Sequence, residues 1–319
     1  MAARKPGKPG RAKGPGAKGS GRGTGKGDRK ARSPGPGGTA KGGRRSGSGG
    51  AVRGGAPGPS APDRRRRRSN RGLGGDQVEG RQAVRELLLA GRRRVDEVLM
   101  IDDLAGADVL EDIQQLSQEL GVGVRRVSRR HLEGEALTES HQGVIARAAP
   151  LAEADFDRLA DDPRAFLLVL DGITDPGNLG AILRTAECAG VTGVVLGRHR
   201  SVHITPTVTK AAAGAVEHVP LTLVGGIPTA LSQLGERGVL TVGLDGGSPR
   251  SIFDLPELSS GPVALVLGAE GAGLSRLARQ RVDVLASIPL AGELNSLNVG
   301  TATAVACFEV VRARGRSTG

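Results

Sequence analysis

Leu170-Asp-Gly-Ile-Thr-Asp-Pro-Gly-Asn-Leu-Gly-Ala-Ile-Leu-Arg-Thr-Ala-Glu187 carries a strand end, a polar turn and a helix start within eighteen residues. Phe166 to Leu170 is an apolar run of strand length, and Asp175, Pro176, Gly177 and Asn178 supply turn chemistry and a possible N-cap. A helix follows, with Ile182, Ala186 and Ala189 on one face and Arg184 projecting at a different angle. A cleft-lining Arg at that place needs an anionic partner.

Working outward, apolar strand-length runs at Phe166 to Leu170, Gly193 to Leu196, Val219 to Val224, Val239 to Leu244, Val263 to Leu267 and Val284 to Ile288 alternate with helical segments. That alternation predicts an α/β fold with a largely parallel sheet covered on both faces. Ligands in such sheets sit at the carboxyl ends of strands. Two further glycine-rich and polar segments begin there, Leu265 to Ser275 and Ile288 to Gly300. Upstream, Arg81 to Ala90 and Ala107 to Leu120 read as helices, and Val95 to Ile101, Val122 to Val127 and His141 to Ala149 as strands. The expected layout is a tail over 1–75, a small α/β domain over 76–150, a linker over 151–163 and a larger α/β domain over 164–315.

Charge is distributed unevenly. Residues 1–75 hold 21 Lys and Arg against Asp28 and Asp63, a surplus of 19, while the remainder carries 24 basic and 31 acidic side chains and is mildly acidic. A tail of Gly, Pro, Ser, Lys and Arg cannot bury enough apolar surface to offset its chain entropy, so disorder is expected there. Arg64 to Arg68 suits sequence-independent phosphate contact, or simply solvation. Gly21 to Gly27 lacks the spacing and the preceding strand of a phosphate loop. No apolar stretch approaches the ~18 residues of a membrane span and no apolar signal core follows the N-terminus, so a cytoplasmic chain without membrane contact is expected. Cys188 and Cys307 read as small core residues in a reducing compartment, and the five His residues show no ligand spacing, so no metal is expected.

Taken in order, the three segments resemble the signature of the SpoU (TrmH-type) branch of the SPOUT methyltransferases, over roughly residues 78–314. The resemblance implies a trefoil-knotted parallel-sheet catalytic domain behind a small L30e-like substrate-binding domain. It further implies S-adenosylmethionine as cofactor, a ribose 2′-hydroxyl of RNA as substrate, and a homodimer with the 179–191 helix and the final helix as contact faces. The layout looks most like enzymes that modify a guanosine of 23S ribosomal RNA. Transfer RNA is the alternative substrate, and a ribosome-associated RNA-binding paralogue without turnover is the alternative class.

By this resemblance Asn178, Arg184, Glu270, Ser296 and Asn298 are the catalytic set. Leu267, Gly268, Gly271, Ile288, Leu290, Leu297 and Asn298 hold the cofactor. Guanidinium hardly releases a proton, so Arg184 is better suited to binding the target phosphate than to acting as a base. Glu270 either holds Arg184 or the ribose, or serves as a helix N-terminal carboxylate for Leu274 to Arg281. Asn178 orients Arg184 or the ribose, or is a plain N-cap. Ser296 and Asn298 form the polar pair of the third segment, where Gly300 and Thr301 stand in place of a Ser common in relatives. The 268–273 glycines do not fit a dinucleotide fingerprint, because spacing and the downstream acid are wrong. With no Trp or Tyr and four Phe, base stacking is scarce. Arg92 to Arg94, Arg125, Arg126, Arg129, Arg130, Arg147 and the Arg198-His-Arg200 loop are the candidate RNA contacts, and His141 with Gln142 resembles a recurring element of the family's substrate domain.

Overall fold

The computed structural model describes residues 72–102, 108–199 and 203–316. The arginine run at 64–68, the rest of the tail to residue 71, and Arg200 lie outside the described residues.

The first domain is built from β1 (Gln77–Glu79), α1 (Arg81–Ala90), β2 (Val95–Ile101), α2 (Asp108–Glu119), β3 (Val124–Val127), α3 (Arg129–Glu135) and β4 (Val144–Ala148). Its sheet runs β1-β4-β2-β3, with β4 antiparallel to both neighbours and β2 parallel to β3. Amphipathic α1 and α2 bury Val84, Leu87, Leu88, Leu110 and Ile113 against one sheet face. The last strand starts at Val144 rather than His141. Gly143 N–H donates to His141 Nδ1 at 3.0 Å, and Gln142 takes a left-handed φ of 54°, which turns the chain before pairing begins.

The second domain holds α4 (Phe156–Ala160), β5 (Phe166–Asp171), α5 (Pro176–Cys188), β6 (Gly193–Gly197), α6 (Pro206–Ala211), β7 (Leu221–Val224), α7 (Ile227–Glu236), β8 (Leu240–Leu244), β9 (Val263–Gly268), α8 (Arg276–Arg281), β10 (Val284–Ala286) and α9 (Val299–Arg316). All six strands are parallel, in the order β10-β8-β9-β5-β6-β7. Period-two alternation divides the apolar runs between two cores: Phe166, Leu168 and Leu170 face one side, Leu167 and Val169 the other. The chain winds outward from β5 to β7, then returns to fill the far side. Its topological switch therefore lies at β5 and β9, whose carboxyl ends meet in register at Asp171 and Gly268.

Three expectations are corrected. Residues 73–75 belong to the fold and not to the tail: Leu73 is buried in the second domain's core, and Gly75 N–H donates to Ile204 O at 2.8 Å. The 151–163 linker contains α4, capped by Asp155 and packed through Leu159 against Gly193, a position where any Cβ would stand 2.7 Å from Leu159. Cys188 is exposed rather than a core residue, because it lies on the face of α5 opposite the buried stripe of Leu179, Ile182, Leu183 and Ala186. Cys307 is buried, and that burial pushes its thiol up to about 12.

A buried charge pair joins the domains. Arg93 forks onto Glu217 at 2.6 and 2.9 Å, with side chains 7% and 1% exposed, and also donates to Gly75 O and Ala149 O. Beside it His218 Nε2 lies 3.1 Å from Glu86, and Lys210 reaches Thr138 and Ser140. Glu79, fully buried in β1, accepts from Gln77, from the backbone of Leu137 and Thr138 and from the Thr138 hydroxyl, and so fixes the loop that Lys210 meets. Removing one member of a buried pair strands the other charge. Glu217→Ala is expected to cost about 3–5 kcal/mol of unfolding free energy, measured by denaturant titration; a loss below 1 kcal/mol would refute the role assigned to the pair. In a thiol-reagent titration the native protein should react at Cys188 alone and the denatured chain at both cysteines. Cys188 should also react more slowly than a free thiol near neutral pH, because desolvation and the neighbouring Glu187 raise its pKa and thin its thiolate.

Candidate active site

The site is assembled where three strands end. After β5, Asp175 Oδ1 accepts the Asn178 backbone N–H at 2.7 Å, and Pro176 occupies the first helical turn. Capping is thus done by Asp175, and the Asn178 side chain is left for other work. Its Nδ2 donates to Glu270 Oε2 at 2.8 Å, and its Oδ1 accepts from Asn298 Nδ2 at 2.8 Å. Asn298 Oδ1 in turn accepts from Gly300 N–H at 2.9 Å, capping α9 and fixing which way both amides point. Asn178, Glu270 and Asn298 form one hydrogen-bonded chain through the three sequence segments.

The loop after β9 doubles back on its own strand. Ala269 and Gly273 exchange backbone hydrogen bonds at 3.0 and 2.8 Å, with left-handed φ at Gly271 and Gly273. A Cβ at Gly268 would lie 2.1 Å from the Gly273 carbonyl carbon, so only glycine permits this closure. Ser275 caps α8 while its own N–H donates to Asp171 Oδ2 at 2.7 Å. Asp171 thereby supplies the carboxylate at the start of α8, the place considered for Glu270, and Glu270 is left to hold Asn178. It does not hold Arg184. Sequence reasoning passed over Asp171, although an acid directly behind a buried strand is a usable signal.

The third segment starts behind β10 at the sheet edge and ends at Asn298 beside α5, crossing β8 and β9 on the way. Along it Ile288 is half-buried, while Leu290 and Leu297 are 40% and 37% exposed, leaving apolar surface uncovered beside the polar chain. Ser296 is exposed, and its side chain makes no hydrogen bond among the described residues. Arg184 sits on α5, exposed and likewise without an ion pair or hydrogen bond among the described residues. Leu267 is buried at the end of β9 and holds the strand in place. No group of three His, Cys, Asp or Glu suited to a metal ion occurs among the described residues, and no described helix is long and apolar enough to cross a membrane.

The three loops therefore present a carboxylate engaged through one oxygen, locked amides and an apolar wall, while Arg184 stands exposed on α5 and is not bonded to any of them. Gly268→Ala should push the 269–273 loop off β9 and separate Glu270 from Asn178. The expected outcome is a fall of several degrees in the melting temperature together with at least tenfold weaker binding of any ligand lodged against that loop, on the scale of ~1–3 kcal/mol for overpacking. A variant that melts and binds like the parent would remove the closure from the site.

Residues 165–308 match the family model of the SpoU rRNA methylase family, and residues 77–154 match that of RNA 2′-O ribose methyltransferase substrate binding. The chain is 41% identical to the 23S rRNA (guanosine-2′-O-)-methyltransferase RlmB of Haemophilus influenzae, over 75% of this chain and 98% of that protein. It is 38% identical to the enzyme of the same name from Escherichia coli K12, over 75% and 99%. Among solved structures, a TrmH-family RNA methyltransferase described as putative, from Porphyromonas gingivalis, superposes with a TM-score of 0.60 at 27% identity, over 73% of this chain and 88% of that one. The SpoU methyltransferase AviRb of Streptomyces viridochromogenes, crystallised with AdoMet, shares the fold at TM-score 0.65 and 22% identity, over 82% and 96%. The ordered segments, both domain matches and the near-full-length relatives lead to one assignment: the chain belongs to the SpoU rRNA methylase family.

Proposed function

We propose that this protein transfers a methyl group from S-adenosylmethionine to the ribose 2′-hydroxyl of a guanosine in 23S ribosomal RNA. The observation that carries the reading is the Asn298–Asn178–Glu270 chain, which draws three loops to one point at the carboxyl edge of the sheet. Relatives named for this reaction align over nearly their whole length.

The residues present fit the cofactor. Leu290 and Leu297 leave apolar surface open for a purine face, with Ile288 behind them, and the glycine turn at Gly268 and Gly271 exposes main-chain groups for ribose and base. When bound, the cofactor supplies an electrophilic methyl on a sulfonium.

The chain's own residues align the nucleophile. Arg184 grips a phosphate oxygen pair of the target nucleotide, so its charge also stabilises alkoxide character at the adjacent sugar. Glu270 has one carboxylate oxygen engaged by Asn178 and turns the other to the ribose. Asn178 and Asn298 lock that carboxylate, and Ser296 adds a hydroxyl donor at the rim. No side chain is assigned as the base; proton removal falls to the target phosphate or to water.

The 287–298 crossing followed by α9 against α5 supports the trefoil knot expected of the family. A homodimer accords with the uncovered apolar surface of α9, where Phe308 and Val311 are 50% and 39% exposed. A ribosomal RNA substrate supports a cytoplasmic location.

Arg184→Ala should lower methyl transfer by at least ~10²-fold, the scale for removing one preorganised donor, while leaving cofactor affinity within about twofold. Transfer is measured with labelled cofactor on a 23S fragment and affinity by calorimetry; comparable turnover would take Arg184 out of the mechanism. Ribose-methylation mapping in a deletion strain should show loss of one 23S guanosine mark. Loss confined to transfer RNA would overturn the substrate assignment.

A further inference from the structure

Several arginines offered by the sequence as RNA contacts are already engaged. Arg93 is buried against Glu217, Arg147 is held by Glu97 and Glu135, Arg94 pairs with Asp96 at 2.9 Å, and Arg198 pairs with Glu153 at 3.3 Å. The outer edge of the first sheet is different. There Arg125-Arg-Val-Ser-Arg-Arg-His131 runs along β3 into α3, placing four guanidiniums and an imidazole within seven residues.

Arg125 reaches Glu97 only at 3.7 Å, and that carboxylate already serves Arg147 at 2.7 Å. Arg126 donates to a neutral partner, Gln114, at 2.6 Å. The side chains of Arg129, Arg130 and His131 are exposed and make no hydrogen bond or ion pair among the described residues. Ser128, Arg130, His131, Gly134 and Glu135 line a shallow groove of about 400 Å³. Arginines on an edge strand can be explained as protection against edge-to-edge pairing. That argument covers Arg125 and Arg126, but not the pair beyond the strand. The chain outside the tail carries more acids than bases, so a basic cluster whose Arg129 and Arg130 have no ion pair among the described residues is where an approaching polyanion is drawn.

Position adds a second constraint. β1 packs on α6 of the catalytic domain, and β3 is the opposite edge of the same sheet, three strand spacings or about 15 Å away. We propose that the 125–131 edge is a phosphate-binding surface for the backbone of the substrate RNA, acting through Arg129 and Arg130. It holds a structured RNA at a point remote from methyl transfer. This rests on the RNA-modifying reading above, and names the face of the substrate-binding domain that does the holding.

The test uses the full-length chain with Arg129→Gln and Arg130→Gln together, and a 23S rRNA fragment read by fluorescence anisotropy across a salt series. Affinity at low salt should fall about tenfold, and the slope of log affinity against log salt should flatten by about two, one for each lost phosphate contact. Cofactor affinity and melting temperature should stay at parental values, which separates lost contact from lost fold. Unchanged affinity and slope would overturn the surface. Because binding is read without turnover, a chain that binds RNA through this face yet transfers no methyl would sink the enzymatic reading and leave the surface standing.

Discussion

The Asn178 side chain is the hinge on which the site depends. One small amide accepts from Asn298 and donates to Glu270, so the loops after β5, β9 and β10 share a single reference point. Each bond spans a large sequence separation, 92 and 120 positions, and joins loops that each carry their own turn chemistry. The amide is available only because Asp175 takes over the helix cap. In the same way Asp171 relieves Glu270 of the duty at α8. Two carboxylates outside the reacting set thus release two polar groups inside it, a division of labour that keeps the cleft polar.

The domain junction follows a related logic with a stronger interaction. Arg93 and Glu217 are nearly removed from water, and the fork geometry, together with two carbonyl acceptors, satisfies most of the guanidinium. Such a pair is weak evidence for net stability, yet its geometry tolerates little displacement. With Lys210 on the Ser140 loop and residues 73–75 laid against the second domain, the RNA-holding unit meets the catalytic unit at several independent points.

Much of the layout was legible because its signals are local. Period-two and period-3.6 apolar patterns located the strands and principal helices, and each of the three segments carries its own turn chemistry. Pairings across the fold were not legible. Nothing near Glu270 in sequence says that its partner is Asn178, 92 positions away, rather than Arg184. Nor does a run of arginines disclose that Arg93 is neutralised by a glutamate 124 positions on, while Arg129 and Arg130 have no ion pair among the described residues. Cys188 misled because it stands among apolar neighbours, yet it lies on the face of α5 opposite buried Leu179 and Ala186. The 151–163 stretch looked like a linker because a five-residue helix is too short to show periodicity.

The Asn298 amide closes a contact with Asn178, 120 positions earlier in the sequence. During synthesis Asn178 emerges well before Glu270 and Asn298, its two partners, and non-local closure of this kind is slow. The catalytic crevice is consequently among the last features to form. The first domain is therefore in place to fold before the crevice between the later loops can close.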